Sequence, residues 1–461
     1  MLKPMSIIHK TQATTVNRQV LSATNVFALW QHQLDSAPQI LVALSGGLDS
    51  TLLLHLLTEV VPLERIRAIH INHGLSPDAD AWQVHAETYC RSLGVSFYAE
   101  TIEVSANGEG LEAAARSARY GVFKRVLEKD ALLLLGHHGD DQAETLLYRL
   151  MRGSGSKGLA SMPAQRSLGL GQLIRPLLPW SKATLQQAAI QRQLHWIEDD
   201  SNADNRFDRN YLRNQVIPAI ADRWPDYTRS LGQSAAYATE AEQLAEILAK
   251  EDLAQLELRV ERAGWSIAIE LLLSKSDLRQ RNILRYWPAA CGLPMPNRQI
   301  IDEITGSILS ARDDGSPQVV WQSMQWRRFR GRLYLLKSQS AQFDQAQRWQ
   351  WSLDHRLELA DGSCLEVQEE TGEGLILAPN DCLTVRYRRG GERCRPAGRS
   401  HSNSLKKLLQ EFALEPWWRD RMPLLYVGET LVAVGDCWIC DGWQAGPQQQ
   451  GKKIRWQVNS L

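Results

Sequence analysis

Five apolar residues, Ile40-Leu41-Val42-Ala43-Leu44, run into Ser45-Gly46-Gly47-Leu48-Asp49-Ser50 and then into the apolar stretch Thr51–Leu57. That order predicts a buried strand, a tight glycine turn, and a helix starting at Asp49 or Ser50. Two adjacent glycines let the backbone approach a ligand with its N–H groups exposed, and a helix start adds positive partial charge. The combination suits an anion such as phosphate. It is not the Walker loop, which needs four residues between its glycines followed by Gly-Lys-Ser/Thr. A lone Gly-Gly turn with Asp49 or Ser50 as a helix cap is the plainer alternative.

From residue 39 to about 200, short apolar runs alternate with helical patterns. The runs are Ile40–Leu44, Ile66–Ile71, Val95–Glu100, Ala131–Leu135 and Leu173–Leu177; the helical stretches include Asp78–Cys90, Leu111–Lys129 and Asp140–Met151. Alternation of this kind predicts a doubly wound, mostly parallel α/β sheet with right-handed crossovers. Ligands then bind at the carboxyl ends of the strands, where Ser45, His70–Leu75 and Gly136–Glu144 all fall. After Pro218 the texture changes. Ser234–Leu258 has a helical composition, Leu278–Trp287 keeps helical spacing, and Val319–Leu336 alternates like strands. Beyond the polar connection Ser338–Gln347, the stretches around Trp351, Leu357–Leu365, Leu383–Arg389 and Leu424–Ile439 read as β-rich. The expected domains are therefore 1–220, α/β and catalytic; 221–340, mostly helical; and 350–461, β-rich.

The strand Ala131–Leu135 is followed by Gly136-His137-His138-Gly139-Asp140-Asp141-Gln142-Ala143-Glu144-Thr145. With a helix starting near Asp140, His137, Asp141 and Glu144 share one side. Two carboxylates and an imidazole there can hold a metal, hold an ammonium group, or move a proton. A capping pair, Asp141 as N-cap with Glu144 at N3, is the alternative, although capping needs no histidine. The glycine-rich, basic loop Arg152–Leu159 suits either closure over a substrate or a solvated linker. Asp199-Asp200-Ser201-Asn202-Ala203-Asp204 precedes Arg209 and Arg213, whose spacing places two arginines on one helix face, to grip phosphate or to form surface ion pairs.

The string Ser45–Ser50 resembles the phosphate loop of the PP-loop ATP pyrophosphatase superfamily, an adenine nucleotide alpha hydrolase-like fold whose members split ATP into AMP and pyrophosphate. Taken with His70–Ser76, Gly136–Thr145, Arg152–Leu159 and Asp199–Arg213 in that order, the chain resembles the tRNA(Ile)-lysidine synthetase family. The resemblance implies a cytoplasmic ligase acting on an isoleucine tRNA with a CAU anticodon. ATP adenylates C2 of the wobble cytidine at position 34, and the ε-amine of free L-lysine displaces AMP to give lysidine, changing the codon read from AUG to AUA. It further implies a catalytic set of Asp49, Arg116, His137, Asp141, Glu144, Asn202 and Arg213, with Arg119 one helical turn from Arg116. Ser45, Gly46, Gly47, Leu48, Asp49 and Ser50 would bind ATP, and Asp49 would hold Mg²⁺. Opposite charge for the lysine would come from Asp141 and Glu144, and His137 would accept the amine's proton. The accessory domains would recognise the tRNA.

Charge and cysteine usage bear on these expectations. The 461-residue chain has a formal net charge of zero, so a polyanion must be met by a local patch. Arg386, Arg388, Arg389, Arg393, Arg395, Arg399, Lys406 and Lys407, interrupted only by Glu392, form such a patch on paper. No apolar run is long enough to span a membrane, and the first thirty residues do not read as a signal peptide. Oligomeric state, monomer or homodimer, is open. The nearest rival is another PP-loop tRNA-modifying enzyme such as a cytidine thiolase, whose chemistry needs reactive cysteines in the catalytic domain. Cys90 is the only cysteine before Cys291. Cys437-Trp438-Ile439-Cys440 lies in a strand-like run that would point the two thiols to opposite faces, which reads as core. A non-catalytic RNA-binding protein is disfavoured by Asp49, His137, Asp141 and Glu144 occurring together.

Overall fold

In a computed structural model of the chain, residues 21–74, 76–103, 111–198, 204–312, 315, 317–337, 344–378 and 381–458 are described. The chain divides into two compact units, 1–244 and 245–461.

The first unit is built on a six-stranded sheet. Its elements are β1 (Ile40–Ala43), α1 (Leu48–Thr58), β2 (Ile66–Asn72), α2 (Ala79–Leu93), β3 (Ser96–Thr101), α3 (Leu111–Val126), β4 (Leu132–Leu134), α4 (Gly139–Met151), β5 (Gln165–Leu168), β6 (Gly171–Ile174) and α5 (Lys182–Gln191). The strand order is β3-β2-β1-β4-β6-β5, parallel throughout except for the β5–β6 pair. The predicted run Leu173–Leu177 is displaced: the strand is Gly171–Ile174, the second arm of an edge hairpin that the sequence does not announce. Its first arm, Gln165–Leu168, has three exposed residues and so carries little apolar signal.

β1 is buried on both faces, which explains why it reads as continuous apolar sequence. Ile40 and Val42 pack with Leu52, Leu53 and Leu56 of α1, and Leu41 packs on the other face with Val122 and Phe123 of α3. The chain reverses its direction of travel across the sheet between β1 and β4. A crevice opens at such a reversal, outside the carboxyl ends of the strands. Beyond α5 come α6 (Asp208–Tyr211), a π-helical turn Leu212–Val216, α7 (Ile217–Arg223) and the long helix α8 (Tyr227–Leu253), within which the first unit ends and the second begins.

The second unit carries a five-stranded sheet and helices up to Lys337, then β-rich structure. The strand Cys364–Thr371 pairs over its whole length with the strand Gln450–Gln457. The run Leu357–Leu365 is a hairpin and not one strand, pairing Leu357 with Leu365. Among the described residues, no helix is long and apolar enough to cross a membrane.

Candidate active site

The six-residue loop lies between β1 and α1 and is tied by its own serines. Ser45 N–H donates to Ser50 Oγ at 3.1 Å, Ser50 Oγ donates to Gly47 O at 3.1 Å, and the two hydroxyls are 3.0 Å apart. Gly46 takes a left-handed conformation (φ +88°), and its carbonyl accepts from Ile197 N at 2.9 Å. A Cβ there would come within 2.9 Å of the Ile197 side chain. The helix begins at Leu48, earlier than predicted, with Gly47 as an N-cap that offers no side-chain bond. Neither Asp49 nor Ser50 is the cap. The first donors of α1 are thus left for an anion, and the Asp49 carboxylate is released from capping. Asp49 Oδ1 is buried without a hydrogen-bond partner.

β4 delivers the second constellation directly against this loop. A Cβ at Gly136 would lie 3.0–3.2 Å from the Asp49 and Ser50 backbone. The capping expectation for α4 is corrected: His138, not Asp141, is the N-cap. His138 N–H donates to Asp141 Oδ2 at 3.0 Å, and Asp141 N lies 3.4 Å from His138 Nδ1. Capping here does use a histidine, and Asp141, at N3, serves both the cap and the site. The His138 ring is 3% exposed and sits 3.5 Å from Asp49 Oδ2, 3.6 Å from Asp140 Oδ2 and 3.5 Å from Asp141 Oδ2. Burial opposes its charge, but Asp140, Asp49 and Asp141 outweigh burial and push its pKa up to about 10. His138 therefore joins three carboxylates, capping α4 through Nδ1 and facing Asp49 and Asp141 through Nε2. Asp140, held also by Tyr227 and by Lys182 N, titrates at about 2 despite its burial.

Glu144 is not an open carboxylate. It takes a bidentate grip from Arg213, with Nε to Oε1 at 2.7 Å and Nη2 to Oε2 at 2.8 Å, and Nη2 also lies 3.4 Å from Asp141 Oδ1. Burial raises the Glu144 pKa against the pull of Arg213. The reading of Arg209 and Arg213 as one phosphate clamp is corrected by the π turn that begins at Leu212. Arg213 is committed to Glu144, while Arg209 lies over the Tyr148 ring at 5.9 Å. The loop Arg152–Leu159 is no loose linker. It contains a one-turn helix, Ser156–Leu159, and Arg149 Nη1 donates to Gly158 O at 2.8 Å and Ser161 O at 3.0 Å.

His137 lies the other way, toward α3. Its Nδ1 accepts from Arg175 Nε at 3.1 Å, and its pKa falls well below the ordinary value, through burial first and then through Arg175, Arg116 and Arg119. An arginine only donates, so Nδ1 carries the lone pair and the ring's proton sits on Nε2. The nitrogen left for a ligand is then a donor, a geometry that does not favour His137 as the acceptor of the amine's proton. Arg116 stacks over Tyr120 at 5.2 Å, and it is Arg119 and Tyr120 that line the cavity.

The cavity holds about 700 Å³, the size of a small-molecule site. Of the predicted residues it is lined by Ser45, Gly47, Leu48, Asp49, Ser50, His137, Asp141 and Arg213, and not by Gly46, Arg116 or Glu144. Asn202 and Leu75 lie outside the described residues. Sequence reasoning passes over His138 as a site residue and over Arg175. A signal for Arg175 is present in the sequence, a lone arginine inside the apolar run Leu173–Leu177.

The C-terminal basic segment is largely paired. Arg386 lies 3.8 Å from Glu429, Arg388 3.3 Å from Asp420, and Arg399 2.6 Å from Glu411, while Arg395 bonds Asp441. Cys440 faces Cys394, not Cys437.

Family models described as a PP-loop domain, a TilS substrate binding domain and a TilS substrate C-terminal domain match residues 13–220, 268–334 and 383–456. The chain is 38% identical over 429 residues to the tRNA(Ile)-lysidine synthase of Coxiella burnetii, covering 92% of this chain and 94% of that one. It is 41% identical over 430 residues to the enzyme of the same name from Serratia proteamaculans, covering 92% and 97%. Among solved structures, the U34-tRNA thiolase NcsA of Methanococcus maripaludis is 17% identical, with a TM-score of 0.40, over 47% of this chain and 77% of that one.

Proposed function

The chain belongs to the tRNA(Ile)-lysidine synthase family, and we propose that it forms lysidine in tRNA(Ile) in two steps within the cavity of its first unit. It is an ATP-using, tRNA-modifying ligase. In the first step the C2 carbonyl oxygen of the wobble cytidine attacks the α-phosphate of ATP and pyrophosphate leaves. In the second, the ε-amine of free lysine attacks C2, AMP leaves with the oxygen, and the amine's proton passes to solvent.

One observation carries the assignment. The uncapped start of α1 and the Asp49 carboxylate face one cavity with Asp141 and Arg213, at the sheet's reversal point. The loop donors and the helix start hold the triphosphate, where charge develops. Asp49 Oδ1, buried and unpartnered, fits a divalent cation. Mg²⁺ is typically bound by one or two carboxylates together with phosphate oxygens. Such an ion would neutralise phosphate charge. His138 Nε2, 3.5 Å from both Asp49 Oδ2 and Asp141 Oδ2, holds the two carboxylates in place. Asp141, which lines the cavity, receives the lysine ammonium, while Glu144 stays engaged with Arg213.

The test is incubation with ATP, Mg²⁺, labelled lysine and tRNA transcripts. Label should enter the CAU-anticodon isoleucine tRNA and not methionine tRNA. Incorporation into neither, with AMP still released, would refute the assignment.

A further inference from the structure

Arg175 is 2% exposed, yet none of its hydrogen bonds among the described residues goes to a carboxylate. Nη1 donates to Pro163 O at 2.6 Å, Nη2 to the Tyr120 hydroxyl at 3.4 Å, and Nε to His137 Nδ1 at 3.1 Å. Burying a guanidinium without an anion is unfavourable by several kcal/mol. An apolar residue would end β6 more stably, so the arginine answers to something other than packing. Its surroundings sharpen the point: Arg116 and Arg166 both stack on the Tyr120 ring, at 5.2 and 4.9 Å. Three arginines therefore converge on one tyrosine and, through Arg175, on one histidine.

The fork geometry restricts the imidazole. Turning the ring over would set a carbon against Arg175 Nε and break the bond. Positive charge from Arg175, Arg116 and Arg119 also disfavours an imidazolium. We propose that Arg175 is a positioning residue which fixes His137 as the neutral Nε2–H tautomer, so that His137 serves as a hydrogen-bond donor to a substrate oxygen gaining negative charge. This rests on the lysidine-forming reading for the identity of that oxygen, a phosphate oxygen or the cytidine O2. His137 takes no proton in either step. The geometry of the histidine and arginine does not depend on that reading.

Two measurements test it on the full chain. Long-range ¹⁵N–¹H spectra of the ligand-free protein at neutral pH should show His137 with an unprotonated Nδ1 and a protonated Nε2. A charged ring or an Nδ1–H tautomer would overturn the proposal whatever the enzyme's activity. In the folded Arg175→Met protein the same spectra should lose that single tautomer. Turnover should fall about 10–100-fold, the range seen when a partner that orients a metal-binding histidine is removed, with the KM for ATP within about twofold. The second measurement separates donor from base. In His137→Gln the amide Nε2 can donate but cannot act as a base, so it should keep at least about a tenth of the turnover that His137→Ala loses. Glutamine and alanine variants equally inactive would refute the donor role. Loss of lysine incorporation in the wild type, with the tautomer confirmed, would refute only the family reaction.

Discussion

The Glu144–Arg213 pair allows a quantitative test. The Glu144 side chain is 6% exposed and that of Arg213 33%. Breaking a buried ion pair costs about 3–5 kcal/mol, but Arg213 is a third exposed and can turn toward water or Asp141, which roughly halves the figure. Arg213→Met should destabilise the local structure by about 2 kcal/mol, Glu144→Gln by clearly less, because its amide mimics the protonated acid that burial favours, and the double variant by less than their sum. A two-unit chain does not unfold in one step. The readout is therefore amide hydrogen exchange of peptides covering α4 and residues 208–223, where 2 kcal/mol appears as roughly 30-fold faster exchange. Acidity gives an independent check. The folded pKa of Glu144 is raised, chiefly by burial, so its contribution is most favourable below the ordinary value of 4.5 and is lost as pH rises through the folded value. Removing Arg213 raises that value further, so Arg213→Met should be nearly neutral at the acid end of the window and costly above it. Additive single effects with no pH dependence would show that the two side chains merely lie side by side.

Asp49→Asn should leave exchange in β1 and α1 unchanged but cut AMP release by about a hundredfold or more; near-normal AMP release from the folded variant would refute its place against the triphosphate. Gly46→Ala combines a left-handed backbone with a 2.9 Å approach to Ile197, so it should cost at least about 1 kcal/mol in local exchange and weaken ATP binding in equilibrium titration, and unaltered ATP affinity would contradict the loop geometry. In the C-terminal segment, neutralising Lys406, Arg389 and Arg393 should flatten the salt dependence of tRNA affinity by somewhat under one unit for each phosphate no longer gripped. Neutralising Arg395 and Arg399, already held by Asp441 and Glu411, should change it less. The reverse ranking would show that RNA displaces those ion pairs.

Much of the first unit was legible because its signals are local. Runs buried on both faces, such as Ile40–Val42 and Leu132–Leu134, carry no competing polar pattern, and the glycine turn marks where β1 ends. The antiparallel edge was invisible because Gln165–Leu168 buries little. At the site, residue types were readable but pairings were not. Glu144 and Arg213 are 69 positions apart and Arg175 and His137 38 apart, and nothing local says which arginine meets which acid. The same blindness made the basic C-terminal segment look like open charge: its partners Asp420, Glu429 and Asp441 enter from elsewhere in the chain. The role of His138 was hidden because adjacent histidines on a strand-to-helix turn point apart, and sequence alone does not choose between them.

The π turn at Leu212–Val216 is what a single inserted residue looks like inside an α-helix. Deleting one residue there would not restore regular α-helical bonding across Asp208–Arg223, because Pro218 has no N–H to donate and its ring crowds the carbonyl four residues back. It would instead rotate everything on one side of the deletion by about 100° relative to the other, swinging Arg213 off Glu144 or carrying α7 off its packing. The reach of Arg213 to Glu144 is therefore set by the phase of this turn, and any change in its length is felt at that ion pair.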